Sequence, residues 1–383
     1  MFKKFIVFLV ILCSCQNMSS ENLEQNVSSD SLESKLNKHF DEYGSELFRY
    51  SGLTYYGETI TIFSKNQIER EINLFNEIRD SDILNKPNNT VFALCHNILI
   101  HSPEEGKSFL KLLNKPTTDD NILNLLGLEM IFAGEFGEQL ILDNIESRYR
   151  KWSENWSIFL SEYAIYESSI PRIEKIYNQS NRTEIKVNMI KALTKISSLD
   201  VLDFIKQIIE TTRNDDILEA AMFAYIEFVG YDGIEYVNNI KTIGQKSKKE
   251  KEEGLDWLKT GTSPKNKFGV VVENSMDFIN RFGGIRSPVV NWANRERLLT
   301  EKNIKEPTAL TKTKKNELIG LLIESKGVGL EMIKAQLFLS LEQTDIDKLL
   351  KLRQMCLYSP NEYTEGKLHT IGIFVRYLRK IRT

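Results

Sequence analysis

The sequence predicts an all-α fold, an α-solenoid of stacked antiparallel helix pairs. Three observations carry this. Apolar residues recur three or four positions apart over most of residues 35–244, the helical period. The chain matches itself at a shift of 32 residues through its middle third, the mark of a two-helix repeat. Helical periodicity then returns from Lys315 to Ile381.

In chain order, the first segment is an address. Lys3 and Lys4 precede an unbroken apolar run from Phe5 to Leu12, about half the ~17–25 residues a bilayer-spanning helix needs. A cationic start, a short apolar core and a small residue before the cut suit a cleaved signal at 1–14. Leu12-Cys13-Ser14-Cys15 resembles a bacterial lipobox, with an aliphatic residue at −3, a small one at −1 and the cysteine to be acylated. Cys13 is the poorer acceptor, because Leu12 would stand at −1. The resemblance to bacterial lipoproteins covers residues 1 to about 17 and implies a lipid on Cys15, two or more chains of which anchor durably. Gln16 in place of an Asp implies sorting to the outer membrane. The first acid, Glu21, favours the periplasmic face over the cell surface. Residues 15–34 hold Ser, Asn, Gln and Glu with little to bury, which predicts a flexible tether.

From residue 35 an N-terminal helical-repeat region is expected to run to 244. Leu53 to Phe63, with Tyr55, Tyr56, Ile60 and Ile62, has strand composition around Gly57 and suggests a small β-hairpin that caps the exposed end of the stack. Ser64 with Gln67 opens a helix carrying Ile68, Ile72, Phe75 and Ile78 on one face. Ser102-Pro103-Glu104-Glu105 starts another: a capping serine, a proline at the first helical position and a glutamate three after the cap.

The repeat itself is read from aligned series. Ile158, Ile190 and Met222 fall in register, as do Leu160, Ala192 and Ala224. The second helices agree at Ile170, Leu202 and Ile234, at Ile173, Ile205 and Val237, and at Ile176, Ile208 and Ile240. Small residues in Ile217-Leu218-Glu219-Ala220-Ala221-Met222-Phe223-Ala224 let a neighbouring helix come close. Over roughly 120–244 these units resemble HEAT-like repeats, with a shorter period and without a regular Asp/Arg pattern between helices.

Past 244 the pattern breaks. Residues 245–253 are nearly all Lys, Glu, Gln or Ser, which suits a solvated helix or a linker, and 260–312 carry Gly261, Pro264, Gly269, Gly283, Gly284, Pro288 and Pro307. We read 245–312 as a charged linker and an irregular insertion near 260–312, and 313–383 as C-terminal helical pairs completing one elongated body.

Chemistry is sparse. Gly106-Lys107-Ser108 ends like a phosphate loop, yet His101 stands where the first glycine belongs and no strand precedes it. His96 and His101 are five apart, no His-Glu-x-x-His occurs, and the chain has four histidines, so neither a metal nor a cofactor is expected. Asp119-Asp120 suits a helix start, and no Gly-x-Ser-x-Gly elbow exists. Trp152 and Trp156, with Phe159 and Tyr163, read as a core stripe. Cys95 and Cys356 lie 261 positions apart in apolar company. They read as buried free thiols, although an oxidising periplasm permits a disulfide.

One segment has the composition of an interaction hot spot. Arg281, Arg286, Trp292, Arg295 and Arg297 surround a glycine-containing loop, and such arginines and tryptophans are candidate partner-binding residues. The bland reading is that Phe282, Ile285 and Trp292 anchor the insertion while the arginines face water.

Loss of residues 1–14 removes two lysines and moves the net charge from −3 to −5, without the basic surplus of a nucleic-acid binder. The expected function is a lipid-anchored scaffold that binds a protein partner in the cell envelope, in envelope assembly or toxin immunity, rather than an enzyme. The alternative is a periplasmic enzyme acting on glycan or peptidoglycan from a helical cleft. That alternative expects converging carboxylates with raised pKa values.

Overall fold

In the computed structural model the described residues are 31–43, 46–49, 59–62, 67–115, 120–146, 150–229, 233–260, 311–322, 337, 340–358 and most of 371–379. Among the described residues the fold is all-α, helix packed against helix, apart from one two-stranded ribbon. The expected signal at 1–14, Cys15, and the segment with Arg281, Arg286, Trp292, Arg295 and Arg297 lie outside the described residues.

The chain enters through α1 (Leu32–Tyr43), so helix already covers 32–34, which the sequence assigned to the tether. Strands β1 (Glu46–Arg49) and β2 (Thr59–Ile62) pair antiparallel, with Phe48 opposite Ile60. A hairpin folded within 53–63 around Gly57 is therefore not what pairs. Thr59–Ile62 finds its partner upstream, and residues 50–58 lie outside the described residues.

Helices α2 (Ile68–Ile78), α3 (Asn89–His101) and α4 (Pro103–Leu113) follow. Asn88 caps α3 by accepting from the Val91 N–H. At α4 the proline takes its expected place, but Ser102 Oγ donates to the Glu105 carboxylate and makes no side-chain bond to the backbone. Gly106 is there for space: a Cβ would come 2.5 Å from the Leu99 backbone. Lys107 pairs with Glu104 and Ser108 Oγ donates to the Glu104 carbonyl, so the phosphate-loop residues serve the helix pair.

The pairs then repeat: α5 (Asp120–Phe132) with α6 (Glu135–Glu146), α7 (Arg150–Tyr163) with α8 (Ile170–Gln179), α9 (Thr183–Ile196) with α10 (Leu202–Thr211), and α11 (Asp215–Val229) with α12 (Ile234–Asn239). Helices α8, α10 and α12 begin at 170, 202 and 234, each 32 residues after the last. Helix α7 packs on α9, α9 on α11, and α11 on α13 (Gln245–Thr260). The aligned series are core: Leu160, Ala192 and Ala224 are fully buried, as are Ile173, Ile205 and Val237. The first series splits, with Ile190 and Met222 buried but Ile158 46% exposed.

Polar rungs tie each pair to the next. Asn188 Nδ2 donates to Ser157 Oγ at 2.9 Å, and Asn214 Nδ2 to Thr183 Oγ1 at 3.1 Å, both across 31 residues. Arg172 reaches Asp143 and Glu146, and Arg182 reaches Glu154. Asp215 accepts from the N–H groups of Gly244, Lys246 and Ser247, and so caps a helix one step along the row.

Of the two readings of 245–253, a solvated helix or a linker, the helix is the one observed. The charged run is α13, with Ser247 and Leu258 fully buried and Gly254 set against Ile226 of α11. Composition allowed the helix but not its docking, for which one narrow stripe suffices. Beyond the insertion come α14 (Lys312–Leu321), α15 (Ile346–Tyr358) and helical residues between 371 and 379. Lys315, almost buried, pairs with Asp345 at 2.8 Å and ties α14 to the start of α15.

Candidate functional site

The C-terminal elements do not simply extend the row; they reach back onto it. Gln354 of α15 donates through Nε2 to the Phe132 carbonyl, the last residue of α5. Arg379 Nη1 donates to the Ile165 carbonyl at 2.7 Å, just past α7, and to the Ile196 carbonyl at 2.6 Å, the last residue of α9. Arg376 Nε donates to Ser197 Oγ at 3.1 Å, and its Nη2 lies 3.3 Å from Glu227 near the end of α11. The first helices of four successive pairs, α5, α7, α9 and α11, thus receive a donor at or just past their C-terminal ends from residues 149 to 222 positions away. The last carbonyls of a helix have no partner within it, and they carry the negative end of its dipole. A guanidinium answers both needs at once.

Two backbone positions are shaped by this clasp. Gly134 has φ +65°, and a Cβ there would meet Gln354 Oε1 at 2.8 Å. Ser197 has φ +60°, unlike any other non-glycine residue among those described, and is fully buried. A serine in that region is strained by roughly 1–3 kcal/mol. Its Oγ is held between the Thr194 carbonyl, to which it donates, and Arg376.

Beside the clasp sits Glu138 of α6, 5% exposed. It accepts from the Ile165 N–H at 3.0 Å and from Ser169 Oγ. Burial pushes its carboxyl up to about 7, against those hydrogen bonds and the pull of Arg353. The space it shares with Ile131, Phe159, Leu160, Tyr166 and Arg353 has room for about one water, too little for a substrate. Burial likewise lowers the Arg379 guanidinium, with Glu167 and Glu138 opposing. It also lowers Lys195, which lies near Arg376, Glu162 and Glu227.

A second buried polar group lies among the first helices. His96 Nδ1 is 3.3 Å from Glu129, and His39 Nε2 is 3.5 Å from Glu71, all four nearly or wholly buried. Burial raises both carboxyls against the pull of their histidines. His96 stands edge-on to Phe132, 4.4 Å between centroids. Among the described residues no group of three or more His, Cys, Asp or Glu is placed to hold a metal ion. Cys95 and Cys356 are both buried, and no disulfide joins them. Trp156 and Phe159 are core, and the Phe159 ring fills the space over Gly127.

Sequence reasoning missed Arg376, Arg379, Gln354 and Glu138. A signal existed for the first two: Ile371, Phe374, Val375 and Leu378 form an apolar stripe, and Arg376 and Arg379 lie three apart beside it. Nothing around Glu138 sets it apart from other helix glutamates. Among the described residues no helix is long and apolar enough to cross a membrane. No known protein family, curated protein or solved structure matches the chain.

Proposed function

We propose that this protein is a lipid-anchored helical-repeat scaffold that binds a protein partner in the bacterial cell envelope. Its helix pairs form a HEAT-like α-solenoid, and such stacks offer long surfaces to macromolecules. The observation that carries this reading is the constant repeat step: second helices starting 32 residues apart, joined by rungs across 31. The lipobox-like Leu12-Cys13-Ser14-Cys15 supports anchorage at Cys15, with the outer membrane and its periplasmic face as the address. Envelope assembly and immunity to a delivered toxin are roles of this kind.

Two measurements test it. Full-length protein should float with membranes, and Cys15→Ala should move it to the soluble fraction; an unchanged distribution would remove the anchor. Crosslinking of the lipidated chain in its own envelope should recover one protein in stoichiometric amount. Recovery of none would count against the scaffold.

A further inference from the structure

The clasp has the character of a bound ligand. The contiguous apolar cluster of the row runs from Leu36 to Leu258, and the buried Ile371, Phe374, Val375 and Leu378 are not members of it among the described residues. Of the bonds that seat residues 371–379 on the row, those of Arg379 go to main-chain carbonyls at or just past helix ends, and those of Arg376 go to the side chains of Ser197 and Glu227. Any arginine presented at that height would find the same acceptors. The fit is also imperfect. Arg379 is 5% exposed, yet its Nε makes no hydrogen bond and Glu167 stands 3.7 Å from it. Ser197, which receives Arg376, holds a strained backbone.

The edge itself has one electrostatic sign at its acceptors. The C-terminal ends of α5, α7, α9 and α11 lie under the clasp, and the carboxylates of Glu138, Glu167 and Glu227 lie among them. Helix-end dipoles and carboxylates together select a cationic helix, and arginine more than lysine, because its fork can serve two carbonyls at once. Arg379 does so with Ile165 and Ile196.

We propose that this edge is the partner-binding face of the scaffold, and that residues 371–379 occupy it in cis as an internal ligand. The ligand in trans is a partner's amphipathic helix with an apolar stripe at i, i+3, i+4 and i+7 and two arginines three residues apart. This deepens the scaffold reading and rests on it: it names the surface and the chemistry of the partner. Covalent connection gives the internal segment an effective concentration on the order of mM, so it holds the edge until displaced.

The test uses full-length protein in detergent and a fluorescent peptide of residues 368–383, read by anisotropy. In wild type the edge is filled, and the peptide binds weakly. In the double variant R376A/R379A the internal copy is weakened, and the wild-type peptide should bind at least about tenfold tighter. The same peptide with both arginines changed to alanine should not bind. Far-UV circular dichroism and the urea midpoint establish that the variant is folded. If it is not, R376K/R379K, which keeps charge but loses the fork, replaces it with the same expectation. A folded variant that binds no tighter than wild type would overturn the proposal. So would equal binding of the arginine-free peptide, or a variant that dimerises without peptide, since the occupant would then be a second copy. Stoichiometric crosslinking to an envelope protein alongside a null peptide result would leave the scaffold reading standing and remove this one.

Discussion

Replacing Glu138 by glutamine isolates the energetic cost of one buried carboxyl. The amide side chain would keep an oxygen for the Ile165 N–H and turn its nitrogen toward Ser169 Oγ, so shape and hydrogen bonding survive. Only the titration disappears. In the fold the carboxyl is raised from 4.5 to about 7 by burial, so the folded chain holds its proton to higher pH than the unfolded chain does. Folding stability from this group is therefore full below the unfolded value. It is lost as pH rises from 4.5 to about 7, and is flat beyond. Between about pH 5 and about pH 8 the wild type should lose about 2.5 kcal/mol more than the Glu138→Gln variant. Urea titrations of both proteins at the two pH values measure this directly. Glu71 and Glu129 are raised in the same direction, but they titrate in both proteins and cancel in the difference. Two pH profiles parallel to within about 0.5 kcal/mol would refute the account.

Three further outcomes follow from packing and capping. Gly137→Ala puts a Cβ 1.7 Å from the Met130 carbonyl oxygen, where only backbone can give way, and should cost about 3 kcal/mol or more in thermal or urea unfolding. Gly320→Ala, on α14 with open space around it, should instead be neutral or stabilising by up to about 1 kcal/mol; a loss there would mean that the helix is packed differently. Asp215→Ala removes the acceptor for three N–H groups opening α13 and should cost about 1–2 kcal/mol, with faster amide exchange confined to 244–250. Burial raises the Asp215 carboxyl, but hydrogen bonds led by those of Ser247 lower it further, so the contribution of this cap is lost only as pH falls through a value below the ordinary carboxylate range.

Helix identity was legible because burial imposes a period. Leu160, Ala192 and Ala224 had to be small or apolar at a fixed step, since each meets the next helix at the same height. The repeat step of 32 residues was legible for the same reason. Helix α13 was legible only as one of two readings, a solvated helix or a linker, and its docking was not, because buried positions such as Ser247 and Leu258 were hidden among charges. The ribbon partner was misplaced because four-residue strands do not announce which neighbour they will meet. Ser102 announced a cap, but its hydroxyl went to Glu105, a choice between two acceptors that spacing cannot make.

The clasp marks the boundary between what order along a chain determines and what folding decides. Periodicity, turn residues and the repeat are local, so the sequence alone determined that this protein is helical and built of stepped pairs. Arg376 and Arg379 are ordinary surface-type residues on a short amphipathic segment. Only the tertiary structure sets Arg379 over the carbonyls of Ile165 and Ile196 and Arg376 against Ser197 and Glu227, because no rule of spacing links positions so far apart along the chain. The same holds for Glu138: its proton affinity comes from the burial its neighbours impose, and that is a property of the assembled fold.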